Sequence, residues 1–491
     1  MNRIYIGKGE HPVHLLGPFG NRHGLIAGAT GTGKTVSLLV LAEGFSRMGV
    51  PVFITDVKGD VAGLALAGEP SEKLRQRAAQ TGLEEYSSEA NPVLFWDLLG
   101  QKGHPLRTTV SEIGPSLLAR ILELNNTQTG VLEIVFRLAD EQGLLLLDLD
   151  DLRALLTFAA DNREQISAQY GLVSSQSIAA IQRALLPLQR EGGTALFGEP
   201  ALELADLMRT DLSGRGIISI LAADQLVLKP QLYASLLLWL LSEFFEQLPE
   251  VGDLDRPKLV LFFDEAHLLF ADAPPVLRQR VEQVVRLIRS KGVGIYFCSQ
   301  FPDDLPDEIL GQLSNRIQHA LRAYTPRDQK AVKAAAETFV ANPKLDVAQT
   351  IAQLAVGEAL VSTLQEKGVP MPVEHTLICP PRCRIGAITS EERAAVRARS
   401  PLGSKYDQLV NRESAHEILT RRTAAQVPTA PPPQSASGSG EGTNLISDLL
   451  WGSKQRQGMV EALAKQAVRT IGSQVGRQIV RGILGGILGR R

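Results

Sequence analysis

The sequence predicts an α/β fold: a parallel sheet flanked by helices on both faces, interrupted by an all-helical insertion and followed by an amphipathic tail. Three observations carry this. Short apolar runs alternate with helical patterns from residue 23 onward, the rhythm of βαβ units. That rhythm stops between 106 and 209, where apolar residues recur at three- and four-residue spacing. The stretch "VPTAPPPQSASGSGEGTN" from Val427 is too rich in Pro, Ser and Gly to build a core. The expected segments are a hairpin at 1–22, core parts at 23–105 and 210–425, the helical insertion at 106–209, a disordered linker at 426–444 and a basic tail at 445–491.

Taken in order, "IYIGKGEHPVHLLG" suits a small hairpin and no more. "HGLIAGAT" is the first core strand, "VPVFITD" the second, ending at Asp56, and "PVLFWD" the third, ending at Asp97. In the insertion, "GPSLLARILEL", "TGVLEIVFRLAD", "DLRALLTFAADN" and "SIAAIQRALLPLQ" read as helices. Strands resume with "GIISIL", "KLVLFFDEAH", "GVGIYFCSQ", "NRIQHALRA" and "GEALVSTL". The apolar run "LYASLLLWLLSEFF" falls short of the ~18–20 residues of a spanning helix and reads as a buried core helix.

Composition is that of a globular protein, 44% hydrophobic and 21% charged, with net charge −2. Aromatics at 5% disfavour a base-stacking surface for single strands. Three cysteines, Cys298, Cys379 and Cys383, are too few for a disulfide framework and fit a reducing, cytoplasmic setting. His375, Cys379 and Cys383 sit four apart but lack a fourth zinc ligand, so a surface coincidence is expected. The N-terminus lacks the apolar region of a secretory signal. The tail from Asn444 carries eight Lys and Arg against two acids, which leaves the body acidic and points to an anionic partner for the tail. Its Leu463, Ala467, Ile471, Val475, Ile479, Ile483 and Ile487 recur every four residues beside a row of basic ones. Six glycines weaken such a helix by ~1 kcal/mol each, so it forms only against another tail, a nucleic-acid backbone or an anionic membrane surface.

The chemistry begins at "GATGTGKT", which fits G-x-x-x-x-G-K-[ST] from Gly28 through Ala29, Thr30, Gly31, Thr32, Gly33 and Lys34 to Thr35. The glycines let backbone N–H groups face phosphates, Lys34 supplies a charge to the γ-phosphate, and the Thr35 hydroxyl is a Mg²⁺ ligand. ATP and Mg²⁺ are therefore the expected cofactors. "KLVLFFDEAH" separates a hydrolase from a kinase. Asp264 can hold Mg²⁺ through its water shell, and Glu265 can polarise a water that a kinase would exclude. Gln300, ending the next strand, is a candidate sensor of the γ-phosphate. Asp56 ends the second strand beside the loop; Lys58 and Asp60 could position Mg²⁺-bound water or face a neighbouring subunit.

The ordered set "GATGTGKT", "DVKGD", "LFFDEAH" and "FCSQ" resembles the HerA-like branch of the FtsK–HerA ATPases. "HPLRTTVSEIGPSLLARILELNNTQTGVLEIVF" and "LFGEPALELADL" are similar to its bacterial YjgR-type branch. The resemblance covers roughly residues 1–420. It implies a RecA-like P-loop NTPase core, assembly into a ring that is commonly a hexamer, ATP between subunits, and duplex DNA passed through a central pore. It also implies an arginine supplied in trans, for which Arg316 and Arg322 are the candidates. The HerA group also carries an N-terminal β-barrel that docks the nuclease NurA, whereas about 22 residues precede the first core strand here, so a NurA-type partner is doubtful.

Three kinds of work compete. A DNA translocase or helicase-like motor needs positive pore residues; the insertion offers Arg107, Arg120, Arg137, Arg153 and Arg163, accompanied by acids. A secretion-type ATPase would move protein, with the tail at a membrane. A nucleotide-gated scaffold would move nothing. The expectation is the first.

Overall fold

A computed structural model describes residues 2–426 except 70, 84 and 271–274, and leaves out the side chains of 276, 277, 327, 425 and 426. The linker and tail expected at 426–491 thus lie, but for residue 426, outside the described residues.

Contacts divide the chain into two units. The first comprises residues 1–109, 120–123 and 183–411, and is built on one mixed sheet. Its strands are β1 (Arg3–Lys8), β2 (Pro12–Leu16), β3 (Gly24–Ala27), β4 (Val52–Asp56), β5 (Val93–Asp97), β6 (His104–Pro105), β7 (Ile218–Ala222), β8 (Leu259–Phe263), β9 (Val293–Ser299), β10 (Asn315–Gln318), β11 (Glu358–Ser362) and β12 (Glu374–Ile378). Their order across the sheet is β2-β1-β12-β11-β10-β3-β9-β8-β4-β7-β5-β6. From β10 to β6 all neighbours run parallel; from β10 to β2 they run antiparallel.

The central strands are short apolar runs buried at every position, as in β4, β8 and β9. A strand buried on both faces needs helices on both sides. On one side the helix Lys34–Arg47 packs Leu38, Leu41 and Phe45 against Ile26, Ile54 and Phe262. Phe45 meets Tyr296 edge-on at 5.6 Å, and Tyr296 stacks on Phe262 at 5.1 Å. Truncating a ring buried like Phe45 costs about 3–5 kcal/mol. The run from Leu232 lies in the helix Pro230–Gln247, whose residues from Leu232 to Phe244 are all buried. Among the described residues no helix is long and apolar enough to cross a membrane.

The N-terminal residues do more than form a hairpin. Besides pairing β1 with β2, they join the main sheet through β12, with Gly7 opposite Ile378. The reason is β12 itself, "EHTLI", a strand hidden in the polar stretch that held the suspected metal residues. His375 there bonds Glu358 at 3.1 Å, and both cysteines are buried. Among the described residues no cluster of three or more His, Cys, Asp and Glu side chains is placed to hold a metal ion by itself.

The second unit comprises residues 110–119, 124–182 and 412–491, described to 426. Its helices Asn126–Gln142 and Leu149–Asp161 each start with a capping box, Asn125 with Gln128 and Asp148 with Asp151. Buried Asp151 also accepts from His416 N–H at 2.8 Å, which fastens the helix Ala415–Gln426 to this unit. The insertion expected at 106–209 is therefore trimmed in the fold. Residues 183–209 belong to the sheet unit, where the Glu191 carboxylate accepts from Leu232 N–H at 3.2 Å.

Candidate nucleotide site

The site lies at the carboxyl ends of the parallel strands, where open α/β sheets place ligands. Register sets its layout. Ala27 of β3 pairs with Ser299 of β9, which brings Gly28 level with Gln300. Phe263 of β8 pairs with Phe297 of β9 and with Thr55 of β4. The loop after β3, Gln300, the Asp264–Glu265 pair and Asp56 thus line up across four adjacent strands.

The loop is shaped by its glycines and by β10. Gly28, Gly31 and Gly33 have φ of 152, 79 and 121°. Ala29 N–H donates to Ala320 O at 2.8 Å, and Thr32 Oγ1 donates to Ala29 O at 2.7 Å. The helix Lys34–Arg47 begins at Gly33 without a side-chain cap, so its first-turn amides carry the partial positive charge that attracts an anion. Lys34 Nζ donates to Gly28 O at 2.6 Å and Ala29 O at 3.2 Å, holding its charge across the loop. Burial pulls the Lys34 ammonium below its ordinary value. Beneath the loop, buried His319 donates from Nδ1 to Glu358 O at 2.9 Å and bonds Ser37 Oγ through Nε2 at 2.8 Å. Burial drives its pKa down to about 4, so it is a neutral support.

The acidic half is crowded. Thr35 Oγ1 donates to Asp60 Oδ2 at 3.0 Å, and Asp60 Oδ1 is buried without a partner. Asp264 N–H donates to Thr55 Oγ1 at 3.2 Å. Burial, then the charges of Glu265 and Asp60, push Asp264 up to about 7. Burial likewise pushes Asp56 up to about 6, while Gly59 N–H, 2.8 Å from its Oδ1, favours the ionised form. Carboxylates held together in this way favour a cation between them. The unpartnered Asp60 oxygen, the raised Asp264 and the Thr35 hydroxyl fit a hard divalent ion bound together with phosphate oxygens. Glu265 is buried at φ 47°, and its Oε1 accepts from Lys58 Nζ. Ala266 N–H donates to Cys298 O at 2.8 Å, tying the chain after Glu265 to β9.

Gln300 lines an open pocket of about 240 Å³ with His267, Asp303, Asp304 and Asp328. The two arginines differ. Arg316, on β10, donates to Leu313 O at 3.0 Å and Leu310 O at 2.8 Å, and its Nη1 is buried without a partner. Its guanidinium is turned into its own chain rather than presented to another. Arg322 is exposed and donates to Ala352 O at 3.1 Å. The sequence left Lys58 and Asp60 open; the structure puts Lys58 on Glu265 and Asp60 on Thr35.

The profile of the family described as Helicase HerA-like C-terminal matches residues 2–491. The chain belongs to this family. That places it among the P-loop ATPases, in accord with the loop and the carboxylate pair. A probable helicase, MJECL08 of Methanocaldococcus jannaschii, is 32% identical over 120 residues, 24% of this chain and 21% of that relative. The match thus spans about a fifth of the relative's length. Among solved structures, the bacterial conjugative coupling protein TrwBdeltaN70 is similar with a TM-score of 0.51 at 15% identity, covering 79% of this chain and 91% of that one. VirB4 of Thermoanaerobacter pseudethanolicus is similar with a TM-score of 0.46 at 16% identity, covering 76% and 96%. At 15% identity the likeness to TrwBdeltaN70 is one of fold.

Proposed function

We propose that this HerA-family chain is a Mg²⁺-dependent ATPase that assembles as a ring, commonly a hexamer in its kind, and translocates double-stranded DNA. The observation that carries the enzymatic part is the alignment of the Gly28–Thr35 loop with buried Asp264 and Glu265 on neighbouring strand ends. The loop amides and Lys34 would bind the phosphates; Thr35 and Asp264 would hold Mg²⁺, which supplies charge neutralisation at the β- and γ-phosphates. Glu265 would take the proton of the attacking water as the bond to the γ-phosphorus forms. The bond from that phosphorus to the ADP oxygen breaks, and its electron pair leaves with ADP. Gln300 would sense the γ-phosphate. Arg322 is the better candidate for an arginine given in trans, since it is exposed and Arg316 is bound into its own chain.

Duplex DNA as the moved substrate is supported by the family and by the helicase name of the archaeal relative. The test is ATPase rate against linear duplex DNA at low and moderate salt. Stimulation that weakens with salt is expected, since phosphate contacts release counterions. A rate indifferent to duplex DNA refutes the motor reading and turns attention to a protein substrate or a scaffold.

A further inference from the structure

Glu265 has one oxygen hydrogen-bonded and one not. Oε1 accepts from Lys58 Nζ. Oε2 is buried without a hydrogen bond, with His267 Nδ1 3.3 Å away. The backbone at Glu265 sits in a left-handed conformation costly for a residue with a side chain. Such strain persists only where the surroundings hold it, and the Ala266 N–H bond to Cys298 O is one of the holds. Lys58 comes from the turn after β4, next to Gly59 at φ 80°. Its side chain is 44% exposed, against 5% for Glu265.

An ammonium bound to a carboxylate occupies a lone pair that would receive a proton. A general base needs that lone pair aimed at water. The paired Glu265 therefore has fewer lone pairs to turn toward that water than a released one. Of the two partners, only Lys58 has room to leave.

We propose that Lys58 is a positioning residue that fixes Glu265 and holds it back, so that hydrolysis requires the Lys58–Glu265 pair to open. The inference rests on the ATPase reading above. The test uses the full chain carrying Lys58→Ala or Lys58→Arg, with kcat and KM for ATP measured without DNA. Lys58→Ala is expected to raise kcat at least threefold with KM within twofold, and Lys58→Arg to stay near the wild type. Affinity for a non-hydrolysable ATP analogue with Mg²⁺ gives a readout free of turnover, and Lys58→Ala should bind it no more weakly. A kcat that is unchanged or lower in Lys58→Ala, or a tenfold loss of analogue affinity, overturns the proposal and makes Lys58 a structural or phosphate contact. A wild type that hydrolyses no ATP is a different failure, and sinks the ATPase reading first.

Discussion

Gly28 and Gly31 stand three residues apart in one loop, yet alanine at each meets a different fate. A Cβ on Gly28 would lie 2.5 Å from His319 Cβ, 3.0 Å from Thr32 Oγ1 and 3.2 Å from the His319 carbonyl carbon. None of these yields cheaply: His319 is fully buried and bonded at both ring nitrogens, and its N–H donates to Ala27 O at 2.7 Å. A Cβ on Gly31 would meet nothing within 4 Å. Both positions have positive φ, which costs an alanine about 1–2 kcal/mol. Restricting the unfolded chain returns roughly 0.4–1 kcal/mol. Gly31→Ala should therefore lose about 1 kcal/mol net. Gly28→Ala adds overpacking of about 1–3 kcal/mol, for a total near ~3 kcal/mol. Urea unfolding followed by the fluorescence of Trp96 and Trp239, both buried in the sheet unit, reads the difference. With a slope of about 3 kcal/mol/M, Gly28→Ala should lower the midpoint by roughly 1 M and Gly31→Ala by about a third of that. Equal midpoints would refute the packing of the loop against His319.

Acid should destabilise the sheet unit through His23 and His319, both held by burial at about 4. Below pH 6.5 the unfolded chain takes up protons that the folded chain refuses until about pH 4, so stability falls as pH falls through that window, by on the order of 3 kcal/mol per histidine. Replacing His319 with Gln should flatten that limb of a melting-temperature series. Glu43→Ala should cost about 2–5 kcal/mol in chemical denaturation, because buried Glu43 accepts from the N–H groups of Arg382 at 2.9 Å and Cys383 at 2.7 Å. Arg316→Ala should lower the melting temperature. Arg322→Ala should leave it alone yet reduce ATPase by about 10³-fold, and mixing with Lys34→Ala chains should restore part of the rate.

Most central parallel strands were legible because they are runs of apolar, β-prone residues, as in "KLVLFFDEAH", whereas the two-residue β6 gave no such signal. The Gly28–Thr35 loop and the Asp264–Glu265 pair were legible because each is local in sequence. Lys58 on Glu265 was not: 207 positions separate them, and only the order β9-β8-β4 brings them together. Nor could spacing tell Arg316 from Arg322, since the distinction lies in which carbonyls each guanidinium meets. The strand β12 escaped because it is five residues long and begins with polar Glu374, His375 and Thr376, and that same strand draws the N-terminal hairpin into the sheet.

The central claim is that the Gly28–Thr35 loop and Glu265 form one hydrolytic site. Phosphate release at saturating ATP and Mg²⁺, wild type against Glu265→Gln, tests it most directly, with binding of a non-hydrolysable analogue measured in parallel. Loss of a general base should lower kcat by about 10²–10⁴-fold while analogue affinity stays within a few-fold. A Glu265→Gln chain that releases phosphate at the wild-type rate would contradict the account.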